Sequence, residues 1–550
     1  MIKPKTSFDL PKEELSRLRG IIFRHLDGFS ISTSSLALKQ GGVLTFLEKK
    51  KKISLKEILS TTNGNEGYLN IAMRILCSQG WLIQNIVNND QIEFTLTEKG
   101  QAAFELVDLY QDVVSFIPVL IDFRKHLFGE MEKGDAERLK SILNQHKQNW
   151  GLEKTENDLI NTIQAEVVTH IEGLIIGPFL VALGMNGFFR EHGQYNPIFD
   201  VKELNGDTNS LMEIFSFLAE IGWFEKEDTT FAFTAKGMFF AKRASAYGVT
   251  VSYLPTFNSV KELLYGNPKI FWERPPKSPE IHVNRTMNVW GSGGAHAGYF
   301  KKIDEIVIDL FNRPIEEQPK GFADMGSGNG AFLEHLFDVI WTKTIRGKML
   351  KEHPLFIVGS DFNEAALVST HATLKEADIW GEVVWGDIGD PDQLAGKLKE
   401  KYNINLGELL NVRSFLDHNR IYNRPKHKAQ ILQPRSTGAF CFRGERLLND
   451  NVIQSLIEHF EKWTPYVKKF GLLVIELHTI HPALAAANIG KTAVTAYDGT
   501  HGYSDQYIVE YEVFLKAAEA AGLSLDPDHQ AKYPPSDLAT VSINLLRSLD

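Results

Sequence analysis

The sequence predicts a Rossmann-like α/β domain that follows a mostly helical half with two winged-helix-like repeats. Three observations lead to this fold class. Strand-like and helix-like segments alternate from about residue 320, a glycine-rich turn follows the first of these strands, and two segments of the first half share one residue pattern. Alternation of this kind is typical of parallel strands with helices on both faces of the sheet.

The length of the chain indicates several domains. A chain of 550 residues is too long for one ordinary core, and we expect three to four domains. The predicted segments are a first repeat in 1–110, a helical connector in 111–180, a second repeat in 181–250, a helical linker or lid in 251–310, and the α/β domain in 311–550.

Composition narrows the classes of partner. The net charge of −10 argues against a protein that grips phosphate backbones. The two cysteines, Cys77 and Cys441, can build neither a disulfide framework nor a zinc cluster. The N-terminus lacks an apolar signal segment, and the apolar window 173–185 is interrupted by Pro178 and is too short to cross a bilayer. We therefore expect a cytoplasmic protein without nucleic-acid or membrane partners.

The repeat in the first half predicts two winged helices. One copy runs over 63–81 and 94–100, and the other over 205–223 and 231–237. The spacing from Asn-Gly to Gly-Trp is identical, and both copies end on F-x-x-T-x-K-G. Each copy has the pattern of helices followed by a two-stranded hairpin. The second copy's helix, 208–222, has no Lys or Arg to meet DNA, which favours pairing into a homodimer or a lid over a substrate.

The α/β half contains a predicted order of strands and helices. The predicted strands are 321–325, 355–361, 382–387, 408–416, 471–478 and a closing pair at 523–533 and 539–547, with helices at 331–340, 451–467 and 508–522. Ligands of such sheets lie beyond the carboxyl ends of the strands. The residues at these strand ends are therefore the candidates for a binding site.

The turn 324-DMGSGNGA-331 allows two interpretations. Gly326 to Ala331 fits the G-x-G-x-x-A pattern of dinucleotide-binding folds, whereas Asp324-x-Gly-x-Gly-x-Gly resembles S-adenosylmethionine (SAM) methyltransferases. An acid before the first glycine would repel a pyrophosphate. It can instead accept a hydrogen bond from the α-amino group of SAM. The resemblance therefore favours methyl transfer over hydride transfer.

Acids at the next two strand ends support SAM. Asp361 can accept from both ribose hydroxyls, and Asp387 with Ile388 suits the adenine amino group and ring face. The predicted cofactor-binding residues are Asp324, Gly326, Ser327, Gly328, Gly330, Asp361, Phe362, Asp387, Ile388 and Asn411.

The predicted loops after the fourth and fifth strands, which include a glycine-rich loop over 497–507, hold the candidates for acceptor chemistry. His418 could be the general base that deprotonates a hydroxyl group in an O-methyltransferase, and Asp417 and Arg413 complete the predicted catalytic set. Alternatively, His478, His501 and Gln506 could hold a metal with open positions for substrate. These polar residues could also be ordinary turn and capping residues.

Three stretches carry a resemblance to one family. NVRSFLDHNR (411–420), YDGTHGYSDQY (497–507) and NVWGSGGAHAGYF (288–300) resemble the mononuclear-metal C-methyltransferases of polyketide synthase loading modules, of the apratoxin type. The resemblance covers most of the chain and implies methylation of a malonyl group on an acyl carrier protein, with a His/Gln-ligated Fe or Mn. It implies His478 and Gln506 as ligands, with His501, His481 or His418 as the third.

Three functions follow as hypotheses. The main one is a SAM-dependent, metal-assisted C-methyltransferase that acts on a malonyl-type thioester, either as a small molecule or on an acyl carrier protein. The second is a metal-independent O-methyltransferase for small hydroxylated compounds, with His418 or His478 as the base. The third is a winged-helix regulator that uses the SAM fold as a sensor.

Overall fold

A computed structural model describes residues 7–88, 91–193, 195–275 and 278–549, without the side chains of 294–298. The chain forms two compact units. The first unit contains the described residues up to 295 together with 443–446 and 482–504, and the second contains 296–442, 447–481 and 505–549. A segment from the second half of the sequence therefore belongs to the first unit.

The first unit is mostly helical. Its α-helices are Lys12–Gln40, Val43–Lys50, Leu55–Thr62, Glu66–Ser78, Glu98–Leu106, Gln111–Ser115, Ile117–Ile121, Phe123–Phe128, Lys133–Lys147, Asp158–Met185, Phe188–Glu191, Thr208–Glu220, Ala235–Ala241, Gly248–Ser252, Leu254–Asn258, Val260–Tyr265, Pro482–Ala486 and Val494–Gly502. Helix Arg285–Phe311 continues into the second unit. The 3-10 helices of this unit are Val107–Tyr110, Asn149–Gly151, Val201–Glu203 and Ala244–Tyr247.

The two repeats fold alike. The first has strands β1 (Lys52–Ser54), β2 (Leu82–Asn88) and β3 (Gln91–Leu96), and the second has β4 (Ile198–Asp200), β5 (Phe224–Glu227) and β6 (Thr230–Phe233). Both small sheets are antiparallel, with the third strand in the middle of each, and each hairpin follows one helix of the copy. The winged-helix prediction is confirmed for both copies.

The shared ending F-x-x-T-x-K-G has a local structural reason. Thr97 caps the following helix by accepting a hydrogen bond from the amide of Gly100, at 2.9 Å. A Cβ on Gly100 would lie only 2.0 Å from the carbonyl oxygen of Trp81. Thr234 and Gly237 repeat the same arrangement, with a 3.1 Å cap. The motif therefore joins each hairpin to the next helix at a point where a side chain does not fit.

The apolar window around Pro178 forms a longer helix than the sequence predicts. Helix Asp158–Met185 continues through Pro178, and 16 of its residues are buried. By length and composition it could cross a membrane, but 78% of its apolar window is buried inside the protein. Burial of this kind is typical of a core helix. The proline does not end the helix because packing on all sides holds it.

Residues 482–504 pack into the first unit. Asp498 of helix Val494–Gly502 forms a buried ion pair with Arg74, at 3.0 Å. Ser34 and Tyr503 share a hydrogen bond of 2.7 Å. The sequence predicts a glycine-rich loop over 497–507, and this is wrong for its first half, which is a buried helix. The small glycines allow that helix to approach its neighbours closely.

The second unit contains a seven-stranded sheet. Its strands are β7 (Gly321–Met325), β8 (Phe356–Asp361), β9 (Glu382–Trp385), β10 (Leu410–Ser414), β13 (Leu472–Leu477), β14 (Leu523–Tyr533) and β15 (Val541–Ser548), in the order β14-β15-β13-β10-β7-β8-β9. The five from β13 to β9 are parallel, and β15 and β14 are antiparallel. Two short strands, β11 (Phe440–Phe442) and β12 (Glu445–Leu447), lie between β10 and β13 in sequence. The predicted Rossmann-like fold with a closing hairpin is confirmed.

Helices cover the sheet of the second unit. They are Ala331–Lys343, Ile345–Lys348, Glu364–Glu376, Pro391–Tyr402, Asn449–Val467 and Tyr511–Ala520, with 3-10 helices Ile315–Glu317, Leu406–Glu408 and Asp417–Asn419. One core lies among helices Asn449–Val467 and Tyr511–Ala520 and strands β13 and β15. A second core joins β7 and β8 to helix Pro391–Tyr402 through Trp463. Together these cores hold the carboxyl ends of the parallel strands in fixed positions.

Candidate functional site

The glycine turn after β7 has the conformation of a ligand-binding loop. Gly326, Gly328 and Gly330 all have positive φ, at +84°, +56° and +80°. This region is costly for residues with a Cβ. The amides of Gly326 and Ser327 donate to the carbonyl of Ser360 in β8, at 2.7 and 3.0 Å. At Gly328 the atom nearest to an added Cβ, apart from the adjacent residues, is the carbonyl oxygen of Gly326 at 4.0 Å. The space beside this glycine is therefore open, and a ligand can reach the main chain there.

Asp324 is a buried carboxyl group at the end of β7. It is 2% exposed, and its Oδ1 has no hydrogen-bond partner among the described residues. Burial, with a smaller contribution from the negative charge of Asp361, raises the pKa of Asp324 to about 8. A buried acceptor without a donor is costly unless a ligand supplies one. The α-amino group of SAM fits this requirement.

Asp361 at the end of β8 is held by the main chain. Its two carboxylate oxygens accept hydrogen bonds from the amides of Gly328, at 3.1 Å, and Asn363, at 2.8 Å. A carboxylate has about four acceptor sites, so Asp361 can also accept from ribose hydroxyls. The adjacent Phe362 is 58% exposed, and its ring lies 5.4 Å from that of Trp385. The exposed ring of Phe362, packed against the half-buried Trp385 beside the carboxylate, suits a nucleoside.

Asp387 and Ile388 follow β9, as the sequence predicts. Asp387 accepts from the amide of Gly389 at 2.7 Å, which fixes the turn. Ile388 is buried, and its carbonyl accepts from the indole of Trp463 at 2.8 Å. β7, β8 and β9 are neighbouring parallel strands, and Asp324, Asp361 and Asp387 lie at or just after their carboxyl ends. The three acids are therefore brought to one edge of the sheet.

Asn411 is placed differently from the prediction of a cofactor-binding residue. It is the second residue of β10, and its side-chain amide donates to the carbonyls of Leu406, Leu409 and Tyr466, at 3.2 to 3.4 Å. These carbonyls lie before β10 or near the end of helix Asn449–Val467. The structure thus assigns Asn411 to the packing of β10, away from its carboxyl end.

His418 forms a dyad with Glu476. The Nδ1 of His418 donates to Oε1 of Glu476, and the His418 amide donates to Oε2 at 3.2 Å. His418 is 6% exposed and Glu476 is 1% exposed. Because a carboxylate only accepts hydrogen bonds, Nδ1 carries the hydrogen and Nε2 is the nitrogen that can accept a proton. This is the arrangement of an oriented general base.

Glu476 is not among the site residues that the sequence predicts. It lies near the end of β13, in a strand whose other residues are apolar, LLVIEL. An acid inside an otherwise apolar, fully buried strand is a signal of a functional or paired carboxyl group. The partner, however, lies 58 residues earlier in the chain, so the pair could not be derived without the fold.

Arg413 and Asp417 form a buried ion pair behind the dyad. Arg413 Nη1 lies 2.9 Å from Asp417 Oδ1, and neither side chain is more than 1% exposed. The same oxygen accepts from Nε2 of His459 at 2.9 Å. Burial acts to raise the pKa of Asp417, but the charge of Arg413 and the bond from His459 hold it below its ordinary value. Burial lowers the pKa of His459 to about 4. These groups hold the turn that carries His418.

The dyad lines a small cavity next to the glycine turn. This cavity is lined by Asp417, His418, Arg420, Glu476, Tyr507 and four apolar residues. A Cβ on Gly326 would lie 2.9 Å from the side chain of Leu416, two residues before His418. The predicted SAM loop and the candidate base therefore lie side by side at the carboxyl edge of the sheet.

The residues predicted as metal ligands have other partners. His478 is fully buried, with Nδ1 at 3.2 Å from the carbonyl of Val509 and Nε2 at 2.7 Å from Ser542 Oγ. His501 belongs to the first unit, where its Nδ1 lies 2.9 Å from the carbonyl of Tyr497.

Gln506 is buried in the second unit, and the alternative ligand His481 is exposed. Within the described ranges, no group of three or more His, Cys, Asp or Glu residues has the arrangement to hold a metal ion. His478, with both ring nitrogens engaged, does not fit a metal site in this structure.

Three protein families match the chain. Residues 18–84 match the AprA N-terminal domain, 172–267 the AprA winged helix domain and 280–544 the AprA MT2-like domain. A comparison with curated proteins gave no match.

Solved structures with a similar fold are methyltransferases of low sequence identity. An O-methyltransferase family protein from Burkholderia thailandensis is 12% identical, with 72% of this chain and 100% of that chain covered and a TM-score of 0.40. Human N-acetylserotonin methyltransferase in complex with SAM is 10% identical, with 72% and 99% covered and a TM-score of 0.42. The DszA carbon methyltransferase is 10% identical, with 67% and 87% covered and a TM-score of 0.28.

Proposed function

Because this chain is a class I SAM-dependent methyltransferase of the AprA type, we propose that it methylates the acidic carbon of a malonyl-type thioester with His418 as general base. The observation that carries the proposal is the buried dyad of His418 and Glu476 beside the glycine turn. The match of 280–544 to the AprA MT2-like domain supports carbon as the acceptor, through the resemblance to loading-module C-methyltransferases.

The donor is held at the carboxyl ends of β7 to β9. Asp324 would bind the α-amino group, Asp361 the ribose hydroxyls, and Asp387 with Ile388 the adenine. When bound, SAM supplies an electrophilic methyl group. The main chain of the glycine turn is open beside Gly328, so SAM can approach it closely.

The base acts on the carbon between two carbonyl groups. Nε2 of His418 accepts the proton from this carbon, and the electron pair left behind forms the new bond to the methyl carbon. The bond from that methyl carbon to the sulfur of SAM breaks at the same time, and S-adenosylhomocysteine leaves with the electrons of the broken bond. Glu476 keeps Nδ1 protonated and stabilises the imidazolium that forms. Arg413 and Asp417 are positioning residues, because their buried ion pair fixes the turn that carries His418, whereas the partner of His418 Nδ1 is Glu476.

Fe or Mn assistance is the alternative form of this proposal. Oxygen and imidazole ligands suit either metal. In this structure His478 does not offer a ring nitrogen, since both have protein partners. The base mechanism therefore uses the dyad of His418 and Glu476 alone.

The test measures the product, the base and the metal separately. The enzyme is purified without chelator, analysed for bound Fe and Mn, and incubated with labelled SAM and malonyl thioesters; the methylated position is read by NMR. We expect C-methylmalonyl thioester from the wild type. His418→Gln and Glu476→Gln should lower kcat about 100-fold or more while SAM still binds.

A matched control is His371→Gln, because His371 is an exposed histidine of helix Glu364–Glu376 in the same unit. It should keep full activity. Methylation of hydroxylated aromatic compounds but not of malonyl thioesters would replace the proposal with O-methylation. Full activity of His418→Gln would refute the role of the dyad. Stoichiometric metal whose removal abolishes turnover would show that the base mechanism is incomplete.

A further inference from the structure

A basic loop begins next to the candidate base. We define it as residues 421–435, which contain Arg424, Lys426, Lys428 and Arg435 but no Asp or Glu. In fact the whole stretch 419–444 lacks acidic residues, in a chain whose net charge is −10. The loop has no helix or strand, and most of its residues are exposed. It is therefore a local concentration of positive charge on an acidic protein.

The backbone of the basic loop is held in place. Glu458 of helix Asn449–Val467 accepts hydrogen bonds from the amides of Lys426 and His427, both at 2.9 Å. Gln454 of the same helix accepts from the amide of Gln430 at 3.1 Å. Three main-chain anchors to one long helix make this loop a defined surface, because they fix the amides from which its cationic side chains extend.

The charges of the loop are largely uncompensated. Arg435 lies 3.5 Å from Asp450, but Arg424 and Lys428 form no ion pair within the part of the chain that the structure describes. Beside them, Ile421 and Ile431 are each 62% exposed. Unpaired cations with exposed aliphatic side chains among them are suited to an acidic protein surface, where charge steers the encounter and apolar contacts add affinity.

The loop also starts at the wall of the cavity. Arg420 donates to the carbonyls of Asp417 and Val452, at 2.9 and 3.1 Å, and its guanidinium lies 5.5 Å from the ring centre of Tyr507. Arg420 and Tyr507 line the cavity together with His418. Arg424 is the sixth residue after His418, so these two Cα atoms lie no more than about 22 Å apart. A thioester on a flexible arm can span such a distance.

We infer that the basic loop is the docking surface for an acidic carrier protein that presents the malonyl-type thioester to His418. This inference rests on the proposed function, since it names the partner of the same site. Arg424 and Lys428 would meet the acidic face of the carrier, and Ile421 and Ile431 would lie against it. The charges act on recognition and not on the chemical step.

The test compares two substrates with one pair of variants. The full-length enzyme is assayed with malonyl on an acidic acyl carrier protein and with the malonyl thioester of N-acetylcysteamine, which has no carrier. Arg424→Glu/Lys428→Glu should raise KM for the carrier-bound substrate about 10-fold or more and leave kcat unchanged. With the small thioester both constants should stay at wild-type values. The wild-type KM for the carrier should also rise with salt.

The matched control is Lys348→Glu/Lys351→Glu, which makes the same change of charge at exposed positions of the same unit. It should keep the wild-type KM. If the loop variant methylates the carrier substrate as well as the wild type does, the docking inference is wrong and the proposed function stands. If the wild type methylates neither substrate, the proposed function itself fails. Salt-dependent binding to duplex DNA that the loop variant loses, without an effect on the carrier, would assign the loop to nucleic acid instead.

Discussion

SAM binding should be linked to the release of a proton from Asp324. Burial raises the pKa of this carboxyl group to about 8 in the free protein, so at pH 7 most molecules hold it in the neutral form. An α-ammonium group binds the ionised form better. Binding therefore draws the proton off Asp324, and the affinity should depend on pH.

The magnitude follows from the pKa. At pH 7, one unit below about 8, roughly one molecule in ten has Asp324 ionised, which costs about 1.4 kcal/mol or tenfold in affinity. At pH 6 the loss is about 100-fold. The affinity for SAM should thus rise about tenfold between pH 6 and pH 7. The amino group of SAM stays protonated in this range, since α-amino groups ionise near pH 8.

Isothermal titration calorimetry measures both effects. Titrations in two buffers with different ionisation enthalpies should show the release of about one proton per SAM at pH 7. Asp324→Asn should bind SAM more weakly and without proton release. The same variant should unfold at a higher temperature without ligand, because the buried acid is ionised in the unfolded chain and mostly neutral in the folded protein. An affinity that does not change between pH 6 and 7, with no proton release, would refute this account of Asp324.

Further predictions concern single substitutions measured by thermal unfolding and SAM titration. Gly326→Ala should abolish SAM binding, because Gly326 has φ +84° and a Cβ there would lie 2.9 Å from the side chain of Leu416. Gly328→Ala should lower the free energy of unfolding by only about 1 kcal/mol, because no atom lies closer than 4.0 Å to its Cβ. Equal losses of stability in the two variants would contradict the steric argument. Asp417→Asn should destabilise the second unit by about 3 kcal/mol, because it leaves a buried arginine unpaired; an unchanged melting temperature would mean that the pair is not formed in solution. Gly100→Ala should destabilise the protein by more than about 2 kcal/mol through a 2.0 Å clash with a carbonyl oxygen, whereas Gly134→Ala, in an open helical position, should be neutral or stabilise it slightly.

The sequence was sufficient for those parts of the fold that depend on local patterns. The strands of the large sheet were predicted from short apolar runs and the glycine turn from its spacing, and both are confirmed. The winged-helix repeat was predicted because its Thr cap and close-packed glycine are fixed by neighbours within about 20 residues in the chain. Such features need no knowledge of the tertiary structure.

The remaining features depend on distant contacts. The dyad joins His418 to a glutamate 58 residues away. The side chain of Asn411 bonds to carbonyls that include one of helix Asn449–Val467, and the sequence does not show that this helix packs against β10. His478 was predicted as a metal ligand from its position after a strand, but β15, the last strand of the chain, supplies the serine that occupies its Nε2. Sequence position alone does not show which partner a buried histidine finds.

The membership of residues 482–504 in the first unit affects how the protein is made. When the ribosome has synthesised residue 295, most helices of the first unit are present, but Asp498, the partner of Arg74, comes about 200 residues later. The buried arginine must wait for its counterion while the strands of the other unit emerge. Domains usually fold in order of synthesis, from the N-terminus onward. Here the first unit can be completed only after most of the second has been made, so the two units mature together and a fragment that ends near 295 would leave a buried charge without its partner.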